Sequence, residues 1–325
     1  MNPDGQPFII INHRAARARE AWVAVRAELE RHDLRFDAHV AREPGDAQAR
    51  VRAAVRAGSR VIAVVGGDGT LSEVAAGFFA LDERRAPSAL PLLINNEAAL
   101  AVLPGGTGND FARALQNGRA SLAYWTGRLI AHLRHEEETT RAVDVLYGTL
   151  EADARSFICL NAATLGIGAE VAGRVAAQAG FLQRLPGETR FAAAALSALA
   201  RWRNRRVRIS VDDETFECGT NLVAVVNSAY AGGGMMFSPE AEVDDGLLDV
   251  VTACDLNRAQ VLRELTRIHS GGHLANPRVS VRRGRRVRIE NLSPADALGI
   301  EADGDVRGHT PVALQTLPGV LHVIC

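Results

Sequence analysis

The chain has 325 residues, of which 47% are hydrophobic, enough for one large core or for two domains of ordinary size. Its 37 basic residues are all arginines and are balanced by 38 acidic ones, so no overall basic charge points to a nucleic acid partner. The lack of lysine excludes enzymes that form a Schiff base and phosphate loops of the Gly-Lys-Ser/Thr type.

The first part of the chain alternates apolar runs with segments of helical periodicity. The predicted strands are residues 8–11, 34–40, 61–65 and 101–103, and the predicted helices are residues 15–31, 47–57, 71–79 and 111–115. This alternation predicts a parallel sheet with helices on its faces. A ligand is then expected at the carboxyl ends of the strands.

After about residue 141 the apolar residues recur with a period of two. The period predicts antiparallel strands with one solvated face, at residues 207–211, 222–226, 247–251, 279–281 and 286–290. One helical insertion, roughly residues 169–202, interrupts them. The change of period and the charged segment at residues 135–140 predict a domain boundary there.

Glycine-rich turns follow the third and fourth predicted strands. The first consists of Gly66, Gly67, Asp68, Gly69 and Thr70, and the second, residues 104–110, contains Thr107, Asn109 and Asp110. Glycines let backbone N–H groups approach an anion, and the start of a helix favours negative charge. Because neighbouring strands lie about 5 Å apart, both turns can contact one nucleotide.

Asp68 is the unusual member of the first turn. A carboxylate beside phosphates is repelled unless a metal ion or a proton intervenes, so Asp68 favours Mg²⁺-linked phosphoryl transfer over simple anion binding. The alternative is structural, because Asp68, Asn109 or Asp110 could serve only to cap the helix that follows.

Four cysteines, Cys159, Cys218, Cys254 and Cys325, lie far apart without a Cys-x-x-Cys pair, as is typical of a reducing compartment. The first residues do not resemble a signal peptide, and the longest apolar stretch, residues 191–200, is too short to span a bilayer. We therefore expect a cytoplasmic protein with no transmembrane segment. Any membrane contact would be peripheral, at the inner face.

The two turns, taken with five later segments, resemble the diacylglycerol kinase catalytic-domain family, the soluble bacterial lipid kinases related to sphingosine and ceramide kinases. The later segments are residues 141–144, 161–168, 227–234, 238–249 and 301–305. The resemblance implies an α/β plus all-β fold: a three-layer α/β nucleotide-binding domain (residues 1–140) and an antiparallel β-sandwich (residues 141–310). It places the active site in the cleft between them and returns a strand, residues 320–324 within the segment 311–325, to the first domain.

Members of this family transfer the γ-phosphate of ATP to a lipid hydroxyl. The resemblance therefore implies ATP, Mg²⁺ and a lipid substrate at a membrane surface, and it leaves a homodimer open. It places the general base at Asp305, where glutamate is usual, with Asp303 as its acidic companion. These two residues alternate along an extended segment and would face opposite sides unless a turn at Gly304 re-aims one of them.

The resemblance also assigns the residues that bind ATP and metal. The ATP contacts are Asn12, His13, Arg14, Ala41, Gly66, Gly67, Asp68, Gly69, Thr70, Leu71, Ser72, Thr107 and Asn109. Asp68, Asp110 and Asp144 would organise the catalytic Mg²⁺. The Asp245 carboxylate and the main-chain carbonyls of Glu242 and Leu247 would hold a structural Mg²⁺.

Three departures from the family pattern keep other functions open. His13 stands where proline is usual, Ala41 where threonine is common, and Asp305 is shorter than glutamate by about 1.5 Å. A non-catalytic nucleotide- or lipid-binding protein is one alternative. A kinase of a soluble acceptor is another, because nicotinamide dinucleotide kinases share the Gly-Gly-Asp-Gly-Thr turn.

Arginine clusters at residues 201–206 and 282–286 could contact anionic lipid headgroups or simply face solvent.

Overall fold

The computed structural model describes residues 6–13, 15–81, 90–119, 121–136, 139–176 and 187–325. Arg14 and the middle of the predicted helical insertion lie outside the described residues. None of the helices in the described part of the chain is long and apolar enough to cross a membrane.

The first half alternates strands and helices, as the sequence predicts. Its elements are β1 (Phe8–Asn12), α1 (Ala16–Arg31), β2 (Asp37–Ala41), α2 (Asp46–Arg56), β3 (Val61–Gly66), α3 (Asp68–Ala76), β4 (Ala99–Pro104), α4 (Asp110–Leu115) and α5 (Leu122–Leu133). The strands form a parallel sheet in the order β2-β1-β3-β4. Every residue of β3 and β4 is buried, because helices cover both faces of the sheet.

The second half consists mainly of antiparallel strands. Its elements are β5 (Thr140–Leu150), β6 (Ser156–Cys159), β7 (Ala162–Gly166), α6 (Ile167–Ala176), α7 (Gly187–Arg201), β8 (Arg205–Val211), β9 (Glu214–Val226), β10 (Tyr230–Ala231), β11 (Met235–Met236), β12 (Leu248–Cys254), α8 (Arg258–Arg267), β13 (Val279–Gly284), β14 (Arg286–Asn291), β15 (Gly299–Ala302), β16 (Asp305–His309) and β17 (Val312–Ile324).

Strand β9 is shared by the two layers of this β-sandwich. Its first part pairs with β8, and its last part pairs with β7 and β12. A second hydrophobic core lies between the layers and includes Ile209, Val225 and Leu314, each at most 1% exposed. The fold is therefore an α/β domain followed by a β-sandwich, which confirms the predicted class.

Strand β17 runs through both halves of the molecule. Its beginning pairs with β14, its last residues pair in parallel with β4, and β5 lies antiparallel along both parts. Apolar side chains of β17 accordingly enter both cores: Leu314 lies in the second, and Leu321 and Val323 lie in the first.

Several predicted element bounds were wrong for local physical reasons. Strand β2 begins at Asp37 rather than residue 34, because the Leu34 N–H closes the end of α1 on the Leu29 carbonyl, 3.0 Å away. Helix α3 begins at Asp68 rather than residue 71, because the Gly67 carbonyl accepts the first helical bond.

Two further elements differ from the prediction. Strand β17 begins at Val312, well before the predicted residue 320. Helix α8 lies in a region where only strands were predicted, and it opens with a reciprocal capping box between Asn257 and Gln260.

Candidate active site

The two glycine turns touch each other at the carboxyl ends of β3 and β4. The register places Gly66 opposite Pro104, and the Gly105 N–H donates to the Gly66 carbonyl at 2.8 Å. A Cβ atom on Gly106 would lie 2.5 Å from the Cα of Gly67, so a side chain there would force the turns apart. The structure thus brings the two predicted phosphate-binding turns together.

The first turn is the opening of a helix. Gly67 is the N-cap of α3, so Asp68, Gly69 and Thr70 form its first turn, where backbone N–H groups have no partner within the helix. The Thr70 hydroxyl accepts a hydrogen bond from the Asn12 side chain at 2.8 Å, which joins the end of β1 to the site. Leu71 and Ser72 are buried behind the turn.

The second turn is shaped by Asn109, which adopts a left-handed conformation with φ of 52°. Its side-chain oxygen accepts from the Gly106 N–H at 2.8 Å, and its amide donates to the Gly106 carbonyl at 3.1 Å. These two bonds close the turn around its glycine. Thr107 lies at the exposed tip.

The remaining predicted nucleotide contacts lie at the ends of β1 and β2. His13 is exposed, and its carbonyl accepts from the Arg19 guanidinium at 2.8 Å. Ala41 ends β2 beside a cavity of about 600 Å³, whose lining includes His39, Arg42 and Asp46.

Asp68 and Asp110 form a carboxylate pair between the turns. Asp68 accepts from the Phe111 N–H at 3.2 Å, and one oxygen of Asp110 accepts from the Gly233 N–H at 2.7 Å. The other Asp110 oxygen is buried and, among the described residues, has no hydrogen-bond partner. Burial and the Asp68 charge raise the pKa of Asp110 to about 6, and burial also raises the pKa of Asp68.

This pair fits a magnesium ion. Mg²⁺ binds proteins through one or two carboxylates and takes its other ligands from phosphate and water. The unpartnered oxygen of Asp110 is the kind of donor that such an ion would satisfy. Within the described ranges, no cluster of three or more His, Cys, Asp or Glu side chains could hold a metal ion by itself.

The β15–β16 hairpin brings a third carboxylate to this place. Its turn consists of Asp303 and Gly304, with φ of 48° and 95°, as in the tight hairpin turns that favour Asp-Gly. The Asp303 carboxylate accepts from the N–H groups of residues 160, 161 and 162 at 2.7 to 3.3 Å. Burial, together with the nearby Asp68 charge, raises the pKa of Asp303 to about 6.

The hairpin turn therefore lies directly beside the first glycine turn. A Cβ atom on Gly69 would lie 3.8 Å from the Asp303 carbonyl oxygen, so the two segments nearly touch. Asp305 follows the turn and is exposed, with its carboxylate 3.3 Å from the Arg307 guanidinium. The turn at Gly304 thus places Asp303, rather than Asp305, beside Asp68.

Asp144 is held by backbone N–H groups of a loop and of β17. Its two carboxylate oxygens accept from the Gly246 N–H at 2.6 Å and the Gly319 N–H at 2.7 Å. Burial raises the pKa of Asp144, and the charges that raise it further belong to Asp245 and Asp244, not to Asp68 or Asp110. In this structure the Asp144 carboxylate ties β5 to a loop and to β17, and its predicted part in organising the catalytic Mg²⁺ stays a prediction.

In the loop that was predicted to hold a structural Mg²⁺, the Asp245 carboxylate lies beside an arginine. One Asp245 oxygen accepts from the Leu247 N–H at 2.9 Å, and the other lies 3.1 Å from the Arg283 guanidinium. Glu242 is exposed in the same loop. Both Asp245 oxygens are engaged in this structure, the predicted structural Mg²⁺ at this loop stays a prediction, and we derive no step through it.

Sequence reasoning assigned no role to the loop at residues 232–234. All three of its glycines have positive φ, and Gly233 donates to Asp110 across the domain boundary. The run of three glycines was the available signal. Glu301 was also missed as a site residue, although it lies within a matched segment.

Comparisons with known proteins agree with this arrangement. Residues 6–146 match the diacylglycerol kinase catalytic domain, and residues 161–325 match the YegS C-terminal NAD kinase beta sandwich-like domain. The chain is 32% identical to a "Probable lipid kinase YegS-like" of Xanthomonas euvesicatoria over 97% of this chain and 94% of that protein. It is 29% identical to a protein of the same description from Pseudomonas aeruginosa, over 97% and 93%.

Solved structures share the fold. A "putative diacylglycerol kinase" from Bacillus anthracis superposes with a TM-score of 0.68 at 24% identity, covering 98% of this chain and 97% of that one. A second structure described in the same words gives a TM-score of 0.66 at 23% identity. With both halves matched in order and close relatives aligned over nearly their whole length, the chain belongs to the YegS-like lipid kinase family, which has a diacylglycerol kinase catalytic domain.

Proposed function

We propose that this protein transfers the γ-phosphate of ATP, with Mg²⁺, to a hydroxyl group of diacylglycerol or a related lipid. The observation that carries the proposal is the meeting of Asp68, Asp110 and Asp303 at one cleft, where the glycine turns face the β15–β16 hairpin. Carboxylates arranged beside a phosphate site suit phosphoryl transfer and would weaken simple anion binding.

The α/β half would bind the nucleotide. The N–H groups at the start of α3 and the glycine backbones of both turns would face the phosphates, since such groups favour anions. Asp68 and Asp110 would hold Mg²⁺, which supplies a positive charge to offset that of the phosphoryl group. With no lysine in the chain, the metal and arginines are the available cations.

The β15–β16 hairpin would supply the base. In this proposal the lipid hydroxyl oxygen forms a bond to the γ-phosphorus, the bond from that phosphorus to ADP breaks, and the hydroxyl proton passes to Asp305. Asp305 is exposed and free to reach an acceptor after leaving Arg307. Asp303, held by three N–H groups, would fix the turn and face the first glycine turn.

The acceptor would come from a membrane, which the protein would contact peripherally. Leu196 on α7 is 56% exposed, and Val306, next to Asp305, is 53% exposed. An exposed apolar side chain beside the proposed base, as at Val306, suits an acceptor that carries acyl chains.

The test is a transfer assay with radiolabelled ATP, Mg²⁺ and vesicles that contain diacylglycerol among other lipids. We expect labelled phospholipid from the wild type and a loss of at least about 100-fold for Asp305→Ala. The control for general damage is Asp212→Ala. Asp212 is distant in sequence from the proposed site residues, and its carboxylate accepts from the Arg285 and Arg286 N–H groups. Label on NAD but not on lipid would favour a soluble acceptor. Tight ATP binding in calorimetry without transfer would favour a binding protein.

A further inference from the structure

Glu301, on β15, bonds two separate parts of the structure with one carboxylate. One oxygen accepts from the Thr164 hydroxyl on β7 at 2.5 Å, and the other accepts from the Gly304 N–H in the hairpin turn. The side chain is half-buried. Glu301 therefore links the body of the β-sandwich to the turn that follows it in the chain.

Strand register explains how one side chain reaches both partners. Glu301 lies opposite Thr164 on one side and Val306 on the other, since β15 is between β7 and β16. The pairing of β15 with β16 shifts between Ile300 and Glu301, so the ladder is irregular just before the turn. Such a bulge re-aims side chains, and it precedes a turn with two positive φ angles.

Two carboxylates hold the hairpin turn, in addition to the pairing of β15 with β16 and the bond from the Asp303 N–H to the Ala162 carbonyl at 3.2 Å. Asp303 fastens its first residue to the N–H groups that follow β6, and Glu301 fastens its second residue, Gly304. Asp305 is the next residue, so the direction of its carboxylate depends on Gly304.

We propose that Glu301 is a positioning residue for phosphoryl transfer: it holds Gly304 so that Asp303 stays beside Asp68 and the Asp305 carboxylate keeps its direction. This inference rests on the proposed function for its kinetic consequence, but the contact itself does not. A displacement of about 1 Å in a reacting group can cost about 100-fold in rate, so a second attachment point matters.

Glutamine at position 301 separates position from charge. Its amide oxygen can accept from the Gly304 N–H, and its amide nitrogen can donate to the Thr164 oxygen, so both contacts persist without the carboxylate. Alanine removes both contacts. Thr164→Val removes only the bond to β7. The charged groups that face Glu301 are Asp303 and Arg307, and none of these variants alters them.

The experiment combines amide hydrogen exchange with steady-state kinetics on the full chain. We expect the peptide covering residues 299–309 to exchange about tenfold faster in Glu301→Ala, at nearly the wild-type rate in Glu301→Gln, and at an intermediate rate in Thr164→Val. In the vesicle assay, kcat should fall by about 10- to 100-fold in Glu301→Ala with KM for ATP within about twofold, and Glu301→Gln should restore most of it. Glu217→Ala, a surface change in the same domain, is the matched control.

Two results would overturn the inference. One is unchanged exchange of residues 299–309 in Glu301→Ala. The other is a glutamine variant as slow in transfer as the alanine variant while its exchange stays like that of the wild type, since the charge would then matter and the position would not. If the wild type itself transfers no phosphate to lipid, the proposed function fails, and the exchange result alone decides whether Glu301 holds the turn.

Discussion

The contact between the two glycine turns depends on the absence of a side chain at Gly106. In Gly106→Ala, the new Cβ would lie 2.5 Å from the Gly67 Cα, a backbone atom that cannot rotate away. We expect at least about a tenfold loss of ATP affinity in calorimetry, because the turns must separate by several tenths of an ångström.

Gly127→Ala provides the control for that substitution. Gly127 lies inside α5, and a Cβ there would have nothing within 4 Å. Alanine is the better helix former by about 1 kcal/mol, so this variant should be slightly more stable and should bind ATP normally. Equal ATP affinity in the two variants would contradict the contact between the turns.

Glu301 should also make stability depend on pH. Burial raises the pKa of Glu301 to about 7 from an ordinary value of 4.5. Between these values the folded protein keeps a proton that the unfolded chain has released, so the free energy of unfolding falls as pH rises from about 4.5 to 7. Asp303 and Asp110, with pKa values raised to about 6, act in the same direction.

Glu301→Gln should remove part of this dependence, because glutamine does not titrate. We expect the free energy of unfolding in urea to decrease less between pH 5 and pH 8 in the variant than in the wild type. Parallel pH curves for the two proteins would show that the Glu301 carboxyl does not change its protonation on unfolding in this range.

At the level of single residues, the residue types in the sequence indicated the chemistry of the site better than they indicated where each side chain lies. The glycine turns and Asp68 lie together because parallel strands end at one edge, which periodicity alone indicates. The contacts of Asp144 and Asp245 are with residues distant in sequence, Gly319 and Arg283. No local sequence pattern indicates such contacts. Asp303 lies beside Asp68 because residues 303 and 304 form a left-handed turn. A fully extended segment, in which the two aspartates alternate, has no such turn.

Among the elements, helix α8 begins with a clear capping signal in the sequence, yet no helix was predicted there. Asn257 accepts from the Gln260 N–H at 3.0 Å, and the Gln260 side chain accepts from the Asn257 N–H at 2.9 Å. Asn-x-x-Gln is a recognisable start signal for a helix. The surrounding strands have a period of two, and that regular pattern obscured one short helix.

Removing this cap should cost stability without affecting the site. We expect Asn257→Ala to lower the free energy of unfolding by about 1 kcal/mol, because an N–H of the first turn loses its acceptor. Lipid phosphorylation at a temperature well below the unfolding transition should stay at the wild-type level. A fall in activity at full occupancy of the folded state would mean that α8 communicates with the cleft.

Across the whole molecule, β17 joins the two cores. Val323 is fully buried in the first core, and Val211 is 4% exposed in the second. Because one continuous strand contributes to both, we expect the halves to unfold together. Val323→Ala and Val211→Ala should each lower the midpoint temperature of one shared calorimetric transition. Each substitution should reduce the free energy of unfolding by about 2 kcal/mol, evaluated at that midpoint.

Scanning calorimetry distinguishes the alternatives directly. Two resolved transitions, with each variant lowering only one, would show that the halves are independent despite the shared strand. A single transition that both variants lower would show that damage to the β-sandwich also weakens the α/β half.

The same strand sets an order of assembly during synthesis. β17 is translated after every other strand of the described structure, yet β4 and β5 both need it as a neighbour. Until it emerges from the ribosome, β4 has an unpaired edge carrying buried-type residues such as Leu100 and Val102, and such edges pair readily with other chains. We therefore expect a chain truncated before β17 to be insoluble rather than to fold as a separate half.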